Sequence, residues 1–171
     1  MFINIFSSFK LMTLIKDIMT KSVETLAVYR PLSSLFTLMG KGKISCVVIT
    51  DHNEIIGVVT ERDLIRKILQ PGREPKDMTI KDVMSTQIIH IDPNAHLNDA
   101  GTLLEKYGIR HLPVVKGGKL KGIVTESDIV RETERIESRN ESFSMWQNIQ
   151  SSIIILSFVF VTLVVLFKLL L

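Results

Sequence analysis

Two stretches at matching places in this chain set a Thr-Glu pair ahead of an aspartate three residues after the threonine: Thr60-Glu61-Arg62-Asp63 and Thr125-Glu126-Ser127-Asp128. Each follows an apolar run opened by a glycine (Gly57-Val58-Val59 and Gly122-Ile123-Val124) and precedes a helical pattern. At such a junction the threonine and the aspartate form a capping box, a structural role worth about 1 kcal/mol. The same spacing suits a nucleotide. Backbone N–H groups at a helix start favour phosphate, and the threonine hydroxyl can add a donor. The aspartate can accept from the two vicinal hydroxyls of a ribose. Thr60, Asp63, Thr125 and Asp128, with Gly57 and Gly122, are therefore candidate ligand residues.

Other reactive types carry less. Cys46 is the single cysteine and sits in the apolar run Ile44–Ile49, where a buried strand thiol is expected and a disulfide within the chain is excluded. His52 falls in a turn between two apolar runs. His90 and His96 have no recognised metal-ligand spacing, even with Asp92 and Asp99 near. The sequence has no Ser/His/Asp or Cys/His constellation, no GxxxxGK[ST] phosphate loop and no GxGxxG motif. The reading is a protein that is not an enzyme and needs no obligatory cofactor or metal.

The elements that position the two Thr-x-x-Asp pairs come as a duplication. Ile15–Arg66 overlies Ile80–Arg131 without a gap at an offset of 65 residues, matching Ile15-Lys16-Asp17 to Ile80-Lys81-Asp82 and Gly57 to Gly122. The first copy predicts a helical turn at Ile15–Met19 and a strand at Val23–Ala27. A helix then runs from Pro31 to Met39, closed by Gly40 and Gly42. A hairpin of Cys46–Thr50 and Ile55–Val59 follows, then an amphipathic helix Glu61–Leu69 with Leu64, Ile65, Ile68 and Leu69 on one face. The second copy predicts a strand at Ile88–Ile91, a helix Asn94–Tyr107, a hairpin of Leu112–Val115 and Leu120–Val124, and a helix from Glu126. Two small units of this kind share one core, and the seam between them is the place for a ligand.

This order of elements resembles the CBS domain family, named for cystathionine β-synthase. The motifs GVVTERD (Gly57–Asp63) and GIVTESD (Gly122–Asp128), the openings IKDIM and IKDVM, and RHLPVV (Arg110–Val115) carry the likeness. It extends from Leu14 to about Glu134, and two copies in tandem look like a Bateman module. The implied fold is α/β: two repeats, each short strand-helix-strand-strand-helix, packed with pseudo-twofold symmetry. The implied ligand is an adenosine compound such as AMP, ATP or S-adenosylmethionine, and the implied assembly is a homodimer joined through the helices. In members that bind phosphorylated adenosines, basic residues at the start of the second repeat's first hairpin strand face phosphate. That makes Arg110 and His111 candidates, where the first repeat has Ser45 and Cys46. Apolar walls for an adenine are expected from Val23 and Ile88, with Ile44, Ile109 and Pro113 near the seam.

Charge and hydropathy bound the partners. Lys and Arg total 21 against 18 Asp and Glu, so the formal +3 is no footprint for nucleic acid. Residues 153–171 read IIILSFVFVTLVVLFKLLL, long enough as a helix to cross about 30 Å of hydrocarbon. The organisation expected is an N-terminal extension (1–13), a first repeat (14–70), a linker (71–78) and a second repeat (79–134). A charged stalk (135–152) and a C-terminal transmembrane helix (153–171) follow. The expected setting is a single-pass, tail-anchored membrane protein with its repeats facing the cytosol. On this reading a membrane transporter, a channel or an enzyme is the regulated partner. The alternatives are a ligand-free interaction module, in which both capping boxes serve stability alone, and the regulatory arm of a membrane transporter or channel.

Overall fold

The computed structural model describes residues 13–42, 44–139 and 150. The first repeat contributes α1 (Ile15–Ile18), β1 (Thr25–Ala27), α2 (Leu32–Gly42), β2 (Cys46–Asp51), β3 (Glu54–Thr60) and α3 (Glu61–Leu64). The second contributes α4 (Ile80–Val83), α5 (Leu97–Tyr107), β4 (His111–Lys116), β5 (Lys119–Thr125) and a helix α6 at 126–139. β1 runs parallel to β2, and β2 antiparallel to β3. β4 and β5 form the matching hairpin, with the same irregularity (Ile49/Thr50 and Val114/Val115) in both copies. Both hairpin turns need left-handed central residues. His52 and Asn53 supply them in the first, Gly117 and Gly118 in the second.

Each repeat hands its opening segment to the other. Ile80 and Val83 are fully buried with Val28, Leu35, Val47, Ile49 and Val59 in the first core. Ile15 is fully buried with Ile91, Leu104, Leu112, Val114 and Val124 in the second. The exchange follows the 65-residue offset. The bridge Thr20↔Ile123 mirrors Val58↔Ser85, and Leu14↔His96 mirrors Pro31↔Thr79. A pseudo-twofold relation between the repeats follows from these pairs. Neither repeat completes its core alone, as expected for units this small.

Four local expectations need correction. Ile88–Ile91 is no strand and keeps a single bridge, Ile91↔Val114. In the first repeat Val48 N donates to Glu24 O at 3.2 Å, extending the pairing; Pro113, its counterpart, has no N–H to give. The second repeat's first helix starts at Leu97 rather than Asn94, because Asn94 N is drawn to Asp92 Oδ1 at 2.7 Å in a local turn. Helix α2 runs through Gly40 to Gly42 instead of ending before them. The helix after Asp63 widens into a π-helical stretch, Ile65–Leu69, with Gln70 N donating to Ile65 O at 2.9 Å. Its face splits accordingly: Ile68 is buried, while Leu69 is 70% exposed.

The expectation of a single-pass membrane protein is also corrected. Among the described residues no helix is long and apolar enough to cross a membrane. Helices α2 and α5 have 11 residues each, and the described residues of α6 number 14. At 1.5 Å per residue these reach about half to two thirds of the hydrocarbon thickness. The run 153–171 and most of the stalk lie outside the described residues.

Candidate functional site

The Thr-x-x-Asp pairs sit at the seam, beside the opening segments exchanged between repeats. Asp63 Oδ2 accepts from Thr60 N at 2.9 Å and from Thr60 Oγ1 at 2.7 Å, and Asp63 N returns a bond to Thr60 Oγ1 at 3.3 Å. The second pair repeats this at 2.9, 2.7 and 3.2 Å between Thr125 and Asp128. A hydroxyl has one proton, and here it points at the carboxylate. Thr60 and Thr125 therefore offer an incoming group a lone pair, not the donor expected for phosphate. The first N–H of each following helix is spent as well: Glu61 N on Ser45 O and Glu126 N on Arg110 O, both at 3.1 Å.

The outer carboxylate oxygens differ between the copies. Asp63 Oδ1 accepts from Ser85 Oγ at 3.1 Å, across the repeats. Asp128 Oδ1 instead faces Arg131 Nη1 at 3.6 Å, with the aspartate side chain only 15% exposed and the arginine 76%. Gly57 and Gly122 sit inside β3 and β5 where these crossing segments press closest. A Cβ on Gly122 would meet Thr20 O at 2.8 Å, and one on Gly57 would meet Ser85 O at 3.0 Å. Their absent side chains let the repeats close on each other.

Arg110 and His111 stand together at the start of β4 but face different groups. Arg110 Nε pairs with Glu126 Oε2 at 3.5 Å, both side chains well exposed. His111 Nε2 lies 2.8 Å from Ser45 Oγ of the other repeat. Burial holds the His111 imidazole below its ordinary pKa, and Arg110 adds to this; Glu61 and Asp128 oppose it in part. At neutral pH the ring is uncharged and serves as a neutral hydrogen-bonding group, while Arg110 and Arg131 supply positive charge, and Arg62 Nη1 of the first repeat donates to Gly108 O at 3.1 Å. The matching Cys46 is buried, and that burial, with the charge of Asp63, pushes its thiol up to about 12.

The expected apolar walls are placed unevenly. Ile44 and Ile109 pack half-buried against their own repeats' cores, and Pro113 is buried within β4. Val23 and Ile88 are half-buried, ahead of β1 and of the Ile91 bridge. Sequence reasoning missed Thr20 and Ser85 altogether. Both carry hydroxyls, both follow an IKD-h-M opening (h, Ile or Val), and they match at the 65-residue offset. A separate open groove of about 570 Å³ on the first repeat, lined by Glu24, Arg30, Ser33, Thr37 and Lys41 among others, includes none of the candidate residues. Among the described residues no cluster of His, Cys, Asp or Glu is arranged to hold a metal.

The family model for the CBS domain matches residues 15–70 and again 80–135, over the two units just described. The chain belongs to the CBS domain family. It is 35% identical over 117 residues to the protein MK0525 of Methanopyrus kandleri, covering 68% of this chain and 58% of that one. The chain thus spans little more than half of that relative. Among solved structures it resembles the CBS domain pair of protein MJ0100 in complex with 5-methylthioadenosine and S-adenosyl-L-methionine. The identity there is 27%, covering 70% of this chain and 98% of that one, with a TM-score of 0.63. It also resembles the hexameric CBS-CP12 protein from bloom-forming cyanobacteria at 26% identity, 69% and 66% coverage and a TM-score of 0.64. This chain is a CBS-pair regulatory module with a structural neighbour that holds adenosine ligands.

Proposed function

We propose that this CBS pair binds an adenosine-containing ligand of the AMP, ATP or S-adenosylmethionine class at the seam, and passes on its occupancy by changing the fit of the two repeats. One observation carries the reading. Each repeat holds an aspartate by the same capping box, at the junction where the other repeat's opening segment crosses. A carboxylate immobilised in this way is pre-organised for a ribose diol, which needs two acceptors at fixed spacing. The adenosine ligands of the MJ0100 pair support the chemical class. Binding at a seam also explains how a small molecule could regulate, since each core contains the other repeat's opening helix. On this reading the chain is not an enzyme and requires no cofactor. It acts as a homo-oligomer, in line with the hexameric CBS-CP12 neighbour.

Isothermal titration of the full chain with AMP, ATP, S-adenosylmethionine and methylthioadenosine tests this directly. Saturable binding of at least one, abolished or strongly weakened when an aspartate of the pair is changed, supports the reading; heat of dilution alone for all four removes it. The competing reading, an interaction module without ligand, is favoured at the first repeat by one contact: Asp63 already has a donor on each oxygen. It predicts that both aspartate variants lose stability only.

A further inference from the structure

We infer that the two clefts are unequal because Ser85 closes the first, leaving the cleft of Asp128 as the single strong site. This rests on the reading that the Thr-x-x-Asp carboxylates receive the ribose. In the first cleft, Thr60 supplies two donors to Asp63 Oδ2, and Ser85 Oγ supplies a third to Oδ1 at 3.1 Å. That donor takes one of the two lone-pair sites of the outer oxygen, so a diol must displace the serine to place both hydroxyls there.

The serine is not free to swing away. Its backbone is paired with Val58 in both directions, Ser85 N to Val58 O at 2.8 Å and Val58 N to Ser85 O at 3.0 Å. The two residues before it are fastened independently: Lys67 Nζ donates to Val83 O at 2.9 Å and to Met84 O at 2.7 Å. Lys67 stands on the same helical stretch that follows Asp63, so one element carries both the carboxylate and the clamp on its blocker.

Of this, only the two-way backbone pairing recurs in the second cleft. Thr20, the counterpart of Ser85, is held by its backbone to Ile123 at 2.9 Å each way, and among the described residues its hydroxyl makes no bond to Asp128. The counterpart of Lys67 is Glu132, an acid that cannot donate to carbonyls and pairs with Arg135 instead. Among the described residues Asp128 Oδ1 has only the long contact to Arg131, and Arg110 lies at the start of the same repeat's hairpin. The duplicated sequence therefore yields one self-occupied cleft and one open, cation-flanked cleft, the latter suited to an adenosine with an anionic tail.

Equilibrium dialysis of the full chain with AMP as the probe tests this, alongside S85A, K67M, D63N and D128N, each checked for fold by circular dichroism. The wild type is expected to bind one AMP per chain. D128N weakens that site at least about tenfold, and D63N leaves it within about threefold. S85A, and independently K67M, are expected to admit a second AMP per chain. Two equal sites in the wild type, or loss of the strong site in D63N with D128N unaffected, overturns the inequality. A single site persisting in both S85A and K67M overturns the role given to Ser85. No AMP binding by wild type, S85A or K67M overturns this inference; if the other three adenosine ligands also fail, the ligand reading falls with it.

Discussion

His111 Nε2 and Ser45 Oγ meet at 2.8 Å across the seam, a contact that the duplication does not duplicate. Under the 65-residue offset Ser45 matches Arg110 and His111 matches Cys46, so the pair joins unlike positions. It couples the repeats through a ring that burial keeps neutral.

That ring makes stability depend on pH in a definite direction. The His111 pKa is lowered in the fold, so between the folded value and the ordinary 6.5 the unfolded chain binds more protons. The contribution is whole above about pH 6.5 and is lost as pH falls through the folded value. Thermal or urea unfolding from pH 7.5 down to 5.5 should show falling stability, and H111Q should flatten that slope. An equal slope in both proteins would assign the acid sensitivity to other groups.

Cys46 should be inert while the protein is folded. With its thiol pushed up to about 12 by burial and by Asp63, about one molecule in ten thousand carries the reactive thiolate at pH 8. A disulfide-exchange reagent is expected to leave native protein unlabelled over hours and to label one thiol per chain in guanidinium. Rapid stoichiometric labelling of the native protein would contradict this burial.

How much of this was legible in the sequence depends on the range of each interaction. The capping boxes were, because Thr60 and Asp63 are three residues apart and the bonds are local. The hairpins were too, from their β-branched runs and turns. The missing strand at Ile88–Ile91 was written in Pro113, but its effect appears only once Val48 is known to donate to Glu24 in the other copy. The exchange of opening helices, the Ser85–Asp63 bond and the Ser45–His111 contact join residues 22 and 66 positions apart or more, and nothing in local pattern encodes such pairs. The competition for the threonine hydroxyls was legible too: the capping box that was recognised already takes the one proton of each in this structure.

The exchange itself makes the two strand glycines sensitive. An alanine methyl at Gly122 would lie 2.8 Å from both Thr20 O and Met19 Sδ, and at Gly57 3.0 Å from Ser85 O and Met84 Sδ. The methionines can rotate aside, but the backbone oxygens are fixed by the Thr20–Ile123 and Val58–Ser85 pairs. Each alanine variant should lose about 1–3 kcal/mol in urea unfolding, with G122A the worse. Wild-type stability in both would mean that the crossing segments are not seated as described.

Asp128→Asn separates capping from ligand binding by magnitude. Two donors from Thr125, at 2.9 and 2.7 Å, fix the inner oxygen, so the asparagine carbonyl takes that place. Its NH2 then falls where Oδ1 was, turning the acceptor that faces Arg131 and the cleft into a donor. The helix keeps a cap-competent oxygen, and stability should fall by no more than about 1 kcal/mol. A ribose diol loses a charge-assisted acceptor, about 1.5–3 kcal/mol, or ten- to a hundredfold in affinity. Asp63→Asn makes the same exchange opposite Ser85, where no ligand is expected, and should cost stability without moving the dissociation constant. Titration calorimetry and urea unfolding on both variants decide between the roles. An unchanged dissociation constant in both, with the fold intact by circular dichroism, would leave these aspartates as helix caps and nothing more.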